Sequence, residues 1–140
     1  MFQAVTSRQE QADFIFKAAA VADYTPDRVS DTKIKKCDGD MCITLRRTRD
    51  IAAELGAHKD GRLLVGFALE THDEQAHAEA KLEKKNFDFI VLNSLNDPGA
   101  GFRHDTNKIT IISRTDSVVY PLKSKKEVAA DIVDRLVSSF

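Results

Sequence analysis

Between Ala18 and Lys36 the chain reads AAAVADYTPDRVSDTKIKK, and this stretch holds its densest chemistry. The alanines let a ligand approach the backbone. Asp23 offers a carboxylate to a metal ion or a ribose hydroxyl, although a turn aspartate also bonds its own backbone. Lys33, Lys35 and Lys36 place three ammonium groups within four residues. Lysine binds phosphate as a mobile point charge, which suits a flap over an anion. Lysines equally protect an edge strand from aggregation. Together these residues predict one wall of an anionic nucleotide site.

A second set lies further on. His77, Lys81 and Lys85 recur every four residues, which makes one stripe on a helix. Like charges at that spacing cost roughly 0.2–0.5 kcal/mol per pair. An anion over Lys81 and Lys85 would remove the cost, and Glu79 and Glu83 would offset part of it without a ligand. Phe67 follows Gly66 at the end of an apolar run. It is either a base-stacking ring reached past the glycine or a core phenylalanine. Cys37 and Cys42 flank an Asp-Gly-Asp-Met tip and read as free thiols. His58, His72, His77 and His104 are too scattered to complete a zinc site with them. Neither G-x-G-x-x-G nor G-x-x-x-x-G-K-[ST] occurs, so both standard phosphate loops are absent from the sequence. That argues against a nicotinamide-dependent oxidoreductase.

These residues need elements to hold them. The first residues, to about Arg8, suggest a helix, and Gln9 to Ala12 a polar turn. Leu63 to Ala68 and Phe89 to Leu92 are continuous apolar runs, and Asp13 to Ala20 is a largely apolar one that Lys17 interrupts near its exit, the pattern of parallel strands covered on both faces. Lys33 to Lys36 and Met41 to Leu45 predict a projecting hairpin about the Asp-Gly pair. Arg49 to Ala57 predicts a short helix. Thr71 with Glu74, and Ser124 with Glu127, are capping-box pairs ahead of two longer helices. The last helix carries Val128, Ile132, Val133 and Leu136 on one side. Lys108 to Ile112 and Val118 to Tyr120 predict an antiparallel hairpin after a long loop from Asn93 to Asn107. The alternation predicts an α/β fold: a Rossmann-like three-layer sandwich with a mostly parallel central sheet and a projecting β-arm. Ligands of such sheets sit outside the carboxyl ends of the strands, here at Ala20 to Asp23, Phe67 to Thr71 and Asn93.

With 140 residues, one domain is expected. A net charge of −1 gives no global attraction to nucleic acid or anionic membranes, so any anion site must be local. No apolar run approaches a membrane span and no signal peptide pattern opens the chain, so the cytoplasm is the default compartment.

Taken in order, several pieces resemble one family. They are KAAAVADYTP at Lys17 to Pro26, KIKK at Lys33 to Lys36, TRDI at Thr48 to Ile51, and VGFALET at Val65 to Thr71. GFRHDTN at Gly101 to Asn107 and PLKSKKEVAADIVD at Pro121 to Asp134 complete the set. The ordered set resembles bacterial-type phosphopantothenoylcysteine synthetase, the C-terminal part of a bifunctional coenzyme A biosynthesis protein. The resemblance implies a CTP-dependent ligase that joins 4′-phosphopantothenate to cysteine through an acyl-cytidylate, with Mg²⁺ accompanying CTP. FMN is implied only where a decarboxylase domain is fused upstream. Carried over by motif, the CTP contacts are Lys17, Ala18, Ala19, Asp23, Lys33, Arg49, Asp50, Ile51, Ala52, Phe67, Lys81 and Lys85. Asp23 is the candidate metal ligand and Lys33 the catalytic flap lysine. The resemblance also implies a homodimer paired through the β-arm.

Two departures accompany it. Arg49 stands where the family usually has proline, which either alters backbone contacts to the base or adds a cation near the phosphates. The family's first strand, Gly-rich loop and asparagine would lie ahead of Met1. The chain therefore reads as an N-terminally truncated, inactive part of the synthetase domain, and a non-catalytic CTP-binding and dimerisation module is the competing expectation.

Overall fold

The computed structural model describes residues 1–36, 38–94 and 104–139. Cys37 and the first part of the GFRHDTN motif lie outside the described residues. The chain opens with α1 (Phe2–Thr6), a 3-10 turn (Gln9–Gln11) and β1 (Phe14–Lys17). Next come β2 (Tyr24–Pro26), β3 (Leu45–Arg47), α2 (Ile51–Ala57), β4 (Leu63–Glu70), α3 (Glu74–Lys84) and β5 (Phe89–Ser94). The short strands β6 (Thr106–Asn107), β7 (Ile109–Ile112), β8 (Ser117–Val119) and β9 (Lys123–Ser124) lead into α4 (Lys125–Val137).

Five strands form the central sheet in the order β1-β4-β5-β7-β8. β1, β4 and β5 are parallel, with Phe14 beside Leu63 and Val65 beside Phe89. β7 and β8 extend the sheet as the expected antiparallel hairpin. Successive strand residues point to opposite faces; both faces are covered at β4 and β5, but at the edge strand β1 Phe14 and Phe16 remain exposed, contrary to the expectation of cover on both sides. On one side Leu64 and Ile90 pack with Leu55 of α2 and with Ala78 and Leu82 of α3. On the other, Val65, Val91 and Ile111 meet Val128, Ile132 and Leu136 of α4. This is the three-layer α/β arrangement that the apolar runs predicted. Each fully buried Leu, Ile or Val contributes about 1.5–3 kcal/mol.

Several local expectations change. The two-stranded ribbon pairs Tyr24–Pro26 with Leu45–Arg47, not Lys33–Lys36 with Met41–Leu45. The Asp-Gly pair thus falls in the connection between β2 and β3, which a two-residue turn signal cannot reveal. α3 starts after Asp73, in the left-handed region at φ 45°, with no side-chain cap. Thr71 instead lies 3.0 Å from His72 Nδ1, and the Glu74 carboxylate accepts from Ser94 Oγ at 2.7 Å. The second capping box forms as expected, with Glu127 N–H donating to Ser124 Oγ at 3.3 Å and Ser124 N–H donating to Glu127 Oε2 at 3.0 Å. Val133 is 48% exposed, because the stripe buried by α4 is narrower than the apolar pattern. Gln9, read as part of a polar turn, is buried and donates to the His58 carbonyl.

Candidate functional site

The site is built at the carboxyl ends of β1 and β4. Beyond β1 the chain turns through Val21 and Asp23. Thr48 holds that turn from β3's exit, its N–H donating to the Asp23 carbonyl at 2.9 Å and its hydroxyl to the Ala22 carbonyl at 2.7 Å. The Asp23 carboxylate makes no hydrogen bond or ion pair among the described residues. The reading of Asp23 as a turn residue bonding its own backbone is therefore not what forms.

α2 begins beside this turn. Asp50 caps it, Oδ1 accepting from the Ala53 N–H at 3.0 Å, while Oδ2 receives the Lys85 ammonium from the end of α3. Burial pushes the Asp50 carboxyl up. The Lys85 hydrogen bond, the Ala53 N–H and the Lys85 charge outweigh burial and hold it below the usual carboxylate value. A depressed carboxylate adds stability that is present above its unfolded value of about 3.9 and is lost as pH falls through the folded value. Asp50→Asn should therefore flatten the loss of stability below about pH 4. Denaturant midpoints across pH 2–6 check this, and an unchanged slope would dismiss Asp50 as a contributor.

The charged stripe of α3 is resolved differently from expectation. Lys81 donates to Glu70 at 2.5 Å, and His77 Nδ1 lies 3.6 Å from the same carboxylate. Lys85 is held by Asp50. Glu79 and Glu83 take no part: Gln75 donates to Glu79 at 2.8 Å, and Arg114 pairs with Glu83 at 2.8 Å. The compensating carboxylates come from β4 and α2, so helix spacing alone could not identify them.

These elements enclose a cavity of about 540 Å³. Lys17, Asp23 and Arg47, the start of α2 from Arg49 to Ala52, and Phe67, Lys81 and Lys85 line it. Five basic side chains (Lys17, Arg47, Arg49, Lys81, Lys85) face two acidic ones (Asp23, Asp50), in a chain whose net charge is −1. An adjoining cavity of about 430 Å³ shares Lys17 and Phe67 and continues along Ala18, Ala19 and Ala20. Every residue expected at the nucleotide site lines one cavity or the other except Lys33, which is exposed on the excursion between β2 and β3.

Arg49 is a defined side chain here. Its guanidinium lies 3.7 Å from the centre of the Phe2 ring and 3.8 Å from the Glu54 carboxylate. Gly66 does not open a path to Phe67. A Cβ there would sit 2.6 Å from the Phe87 ring, so the glycine makes room for core packing. Phe67 is half-buried and lines both cavities. Sequence reasoning placed Asn93 and the Phe67 to Thr71 stretch at strand exits, but it did not single out Arg47, Glu70, Asn107 or Lys125. Asn107 and Lys125 reach the second cavity because β6 pairs with β9, a two-residue match with no sequence signal. Among the described residues no three His, Cys, Asp or Glu side chains group as a metal site. None of the described helices is long and apolar enough to cross a membrane.

The family model for the DNA/pantothenate metabolism flavoprotein C-terminal domain matches residues 1–140. A cysteine/cysteine sulfinic acid decarboxylase from an unknown prokaryotic organism is 54% identical over 140 residues, which are 99% of this chain and 39% of that protein. The coenzyme A biosynthesis bifunctional protein CoaBC of Bacillus subtilis (strain 168) is 44% identical over 139 residues, covering 99% of this chain and 34% of that protein. The crystal structure of the C-terminal domain of a coenzyme A biosynthesis bifunctional protein CoaBC superposes with a TM-score of 0.75 at 35% identity, over 96% of this chain and 58% of that one. The chain thus spans well under half the length of the curated relatives it matches.

Proposed function

The chain belongs to the DNA/pantothenate metabolism flavoprotein C-terminal domain family, and from that premise we propose that it forms the nucleotide-binding part of a CTP-dependent phosphopantothenate–cysteine ligase in coenzyme A biosynthesis. The observation that carries this reading is the basic cavity at the ends of β1 and β4. It concentrates five cations around a space of about 540 Å³ in a protein with no overall positive charge.

In the proposed reaction a carboxylate oxygen of 4′-phosphopantothenate attacks the α-phosphorus of CTP, and the bond to the β-phosphate oxygen breaks to release pyrophosphate. The amine of cysteine then attacks the acyl carbon, loses its proton to solvent and expels CMP. Both steps depend on placing the reactants and neutralising phosphate charge, not on a protein nucleophile. Lys81 and Lys85 exchange Glu70 and Asp50 for phosphate oxygens. Phe67 supplies a face for the base, and Lys33 closes over the triphosphate from the excursion. Mg²⁺ keeps several waters and takes one or two carboxylates plus substrate phosphates. The unbonded Asp23 carboxylate suits that role, and Mg²⁺ there would neutralise charge on the phosphates. FMN belongs to this reading only through a decarboxylase domain joined upstream. Pairing of two copies through the ribbon is favoured by exposed Val29, Ile34, Met41, Ile43 and Leu45; sedimentation at increasing concentration should show a dimer, and a monomer throughout would remove it.

Calorimetry with CTP and Mg²⁺ tests the reading. CTP should bind, and Lys33→Ala should weaken it by about 1.5–3 kcal/mol, the worth of one charge-assisted contact. Absence of CTP binding would overturn the nucleotide assignment. CTP binding by a protein that never forms pyrophosphate, even with both co-substrates, would leave a binding module in place of a ligase.

A further inference from the structure

The last residue of β4 is a carboxylate that faces two donors from α3. Glu70 closes the strand, and its side chain is only 16% exposed. Lys81 Nζ donates to Oε1 at 2.5 Å, and His77 Nδ1 stands 3.6 Å from Oε2. The two donors thus address different oxygens of one carboxylate, from positions four apart on the helix. The lysine is within hydrogen-bonding distance and the histidine is just beyond it. Lys81 is also the member of this trio that lines the basic cavity. Other groups surround His77. The His72 ring meets it edge to face with centres 5.5 Å apart, and His72 Nδ1 lies 3.0 Å from the Thr71 hydroxyl. Asp73 accepts the His77 N–H through its carbonyl oxygen at 3.0 Å, and the Glu74 carboxylate accepts from Ser94. The His77 side chain is half exposed, so it exchanges protons with solvent.

We propose that His77 is a positioning residue for the nucleotide, which takes up a proton and replaces Lys81 on Glu70 when Lys81 turns to phosphate. The inference rests on the nucleotide reading of the basic cavity. Moving Lys81 leaves a mostly buried carboxylate without its counter-charge, and a buried charge stripped of its partner is costly. His77 is the other donor already beside that carboxylate. Histidine is the side chain whose ordinary charge change falls between pH 5 and 8, so solvent supplies the proton near neutrality and the imidazole holds it. Binding of nucleotide and uptake of that proton are then linked, and each favours the other. A proton on His72 as well would oppose the charge on His77 across the ring contact, which limits the gain in acid.

Titration calorimetry of the full chain with CTP and Mg²⁺, at pH 7 in two buffers of different ionisation enthalpy, counts the protons taken up. The parent should take up more protons per CTP than His77→Gln, whose amide cannot titrate. Across pH 6 to 8 the affinity ratio of parent to His77→Gln cancels the titration of CTP itself. It should be roughly threefold to tenfold at pH 6, the range for one partly buried charge pair, and approach one at pH 8. His77→Arg carries a fixed charge, so it should hold the higher ratio at both pH values without the extra proton. In a Glu70→Gln background His77→Gln should change nothing, an outcome that a merely structural role of His77 would not produce. Equal proton uptake in parent and His77→Gln, or a ratio independent of pH, would overturn the proposal while CTP binding stands. Failure of the parent to bind CTP would instead defeat the nucleotide reading and the proposal with it.

Discussion

Gly56→Ala lowers the stability of this protein by about 2 kcal/mol. Two terms of opposite sign set that figure. Alanine in place of glycine within a helix is ordinarily favourable by about 1 kcal/mol, through backbone entropy. Here the new Cβ would stand 2.0 Å from the Lys85 carbonyl oxygen and 2.9 Å from its carbon. The obstacle is main chain, not the end of a flexible side chain. α2 and the end of α3 must separate, and over-packing of a buried contact costs about 1–3 kcal/mol, occasionally more. The clash also sits where Asn86, in the left-handed region at φ 52°, donates to the Gly56 carbonyl at 2.8 Å, so the separation loses that bond too. The net effect is destabilising. Urea unfolding measures it, and a midpoint equal to or above the parent's would mean that α2 shifts without resistance. The same displacement moves Lys85 away from Asp50, so CTP affinity should fall with stability.

Lys85→Glu and Asp50→Asn should shift nucleotide affinity in opposite directions. Lys85→Glu removes one charge-assisted contact, worth about 1.5–3 kcal/mol, and adds a carboxylate that repels phosphate. The expected loss of CTP affinity is at least about a hundredfold. Asp50→Asn keeps an oxygen that caps α2, since asparagine is as good a cap as aspartate. It removes the charge that holds Lys85 in the ligand-free protein. Lys85 then meets phosphate without first leaving a carboxylate, and CTP binding should strengthen severalfold. Calorimetry of both variants at one ionic strength checks the pair. Losses in both would mean that Asp50 itself touches the nucleotide, and no change in Lys85→Glu would remove Lys85 from the site.

Glu70 and Asp50 also explain why the lysine stripe of α3 tolerates its own charge. Neither carboxylate lies on α3, and neither is near Lys81 or Lys85 in sequence. The nearer candidates, Glu79 and Glu83, point to Gln75 and Arg114. Residues four apart on a helix are neighbours by geometry, so the stripe itself was legible. Its partners depend on which strand end and which helix start arrive beside it.

The same division runs through the rest of the molecule. Apolar runs at β4 and β5 announced strands buried on both faces, because a strand with no polar face needs cover on both sides, whereas the run at β1 forms an edge strand that leaves Phe14 and Phe16 exposed. The Ser124–Glu127 cap was readable for a similar reason: both bonds are local. The Asp-Gly signal at residues 38–39 placed a turn but could not say which strands it served. The ribbon that formed lies well before and after it. Gly66 looked like a ligand opening until Phe87, twenty-one residues later, was found in its space.

The sequence by itself determined the α/β class, the parallel strands, the closing helix and the set of basic residues, since periodicity, capping and residue type act over a few positions. It also offered Ala18 to Asp23 as one wall of a site, while leaving open whether Asp23 serves only the turn. Only the tertiary structure decided that Lys17 and Phe67 stand between two cavities, that Arg47 and Lys125 join them, and that Lys33 stays outside both. Those facts depend on non-local pairing, β1 on β4 and β6 on β9. A strand's partner is chosen by the burial of whole faces, which no short stretch encodes.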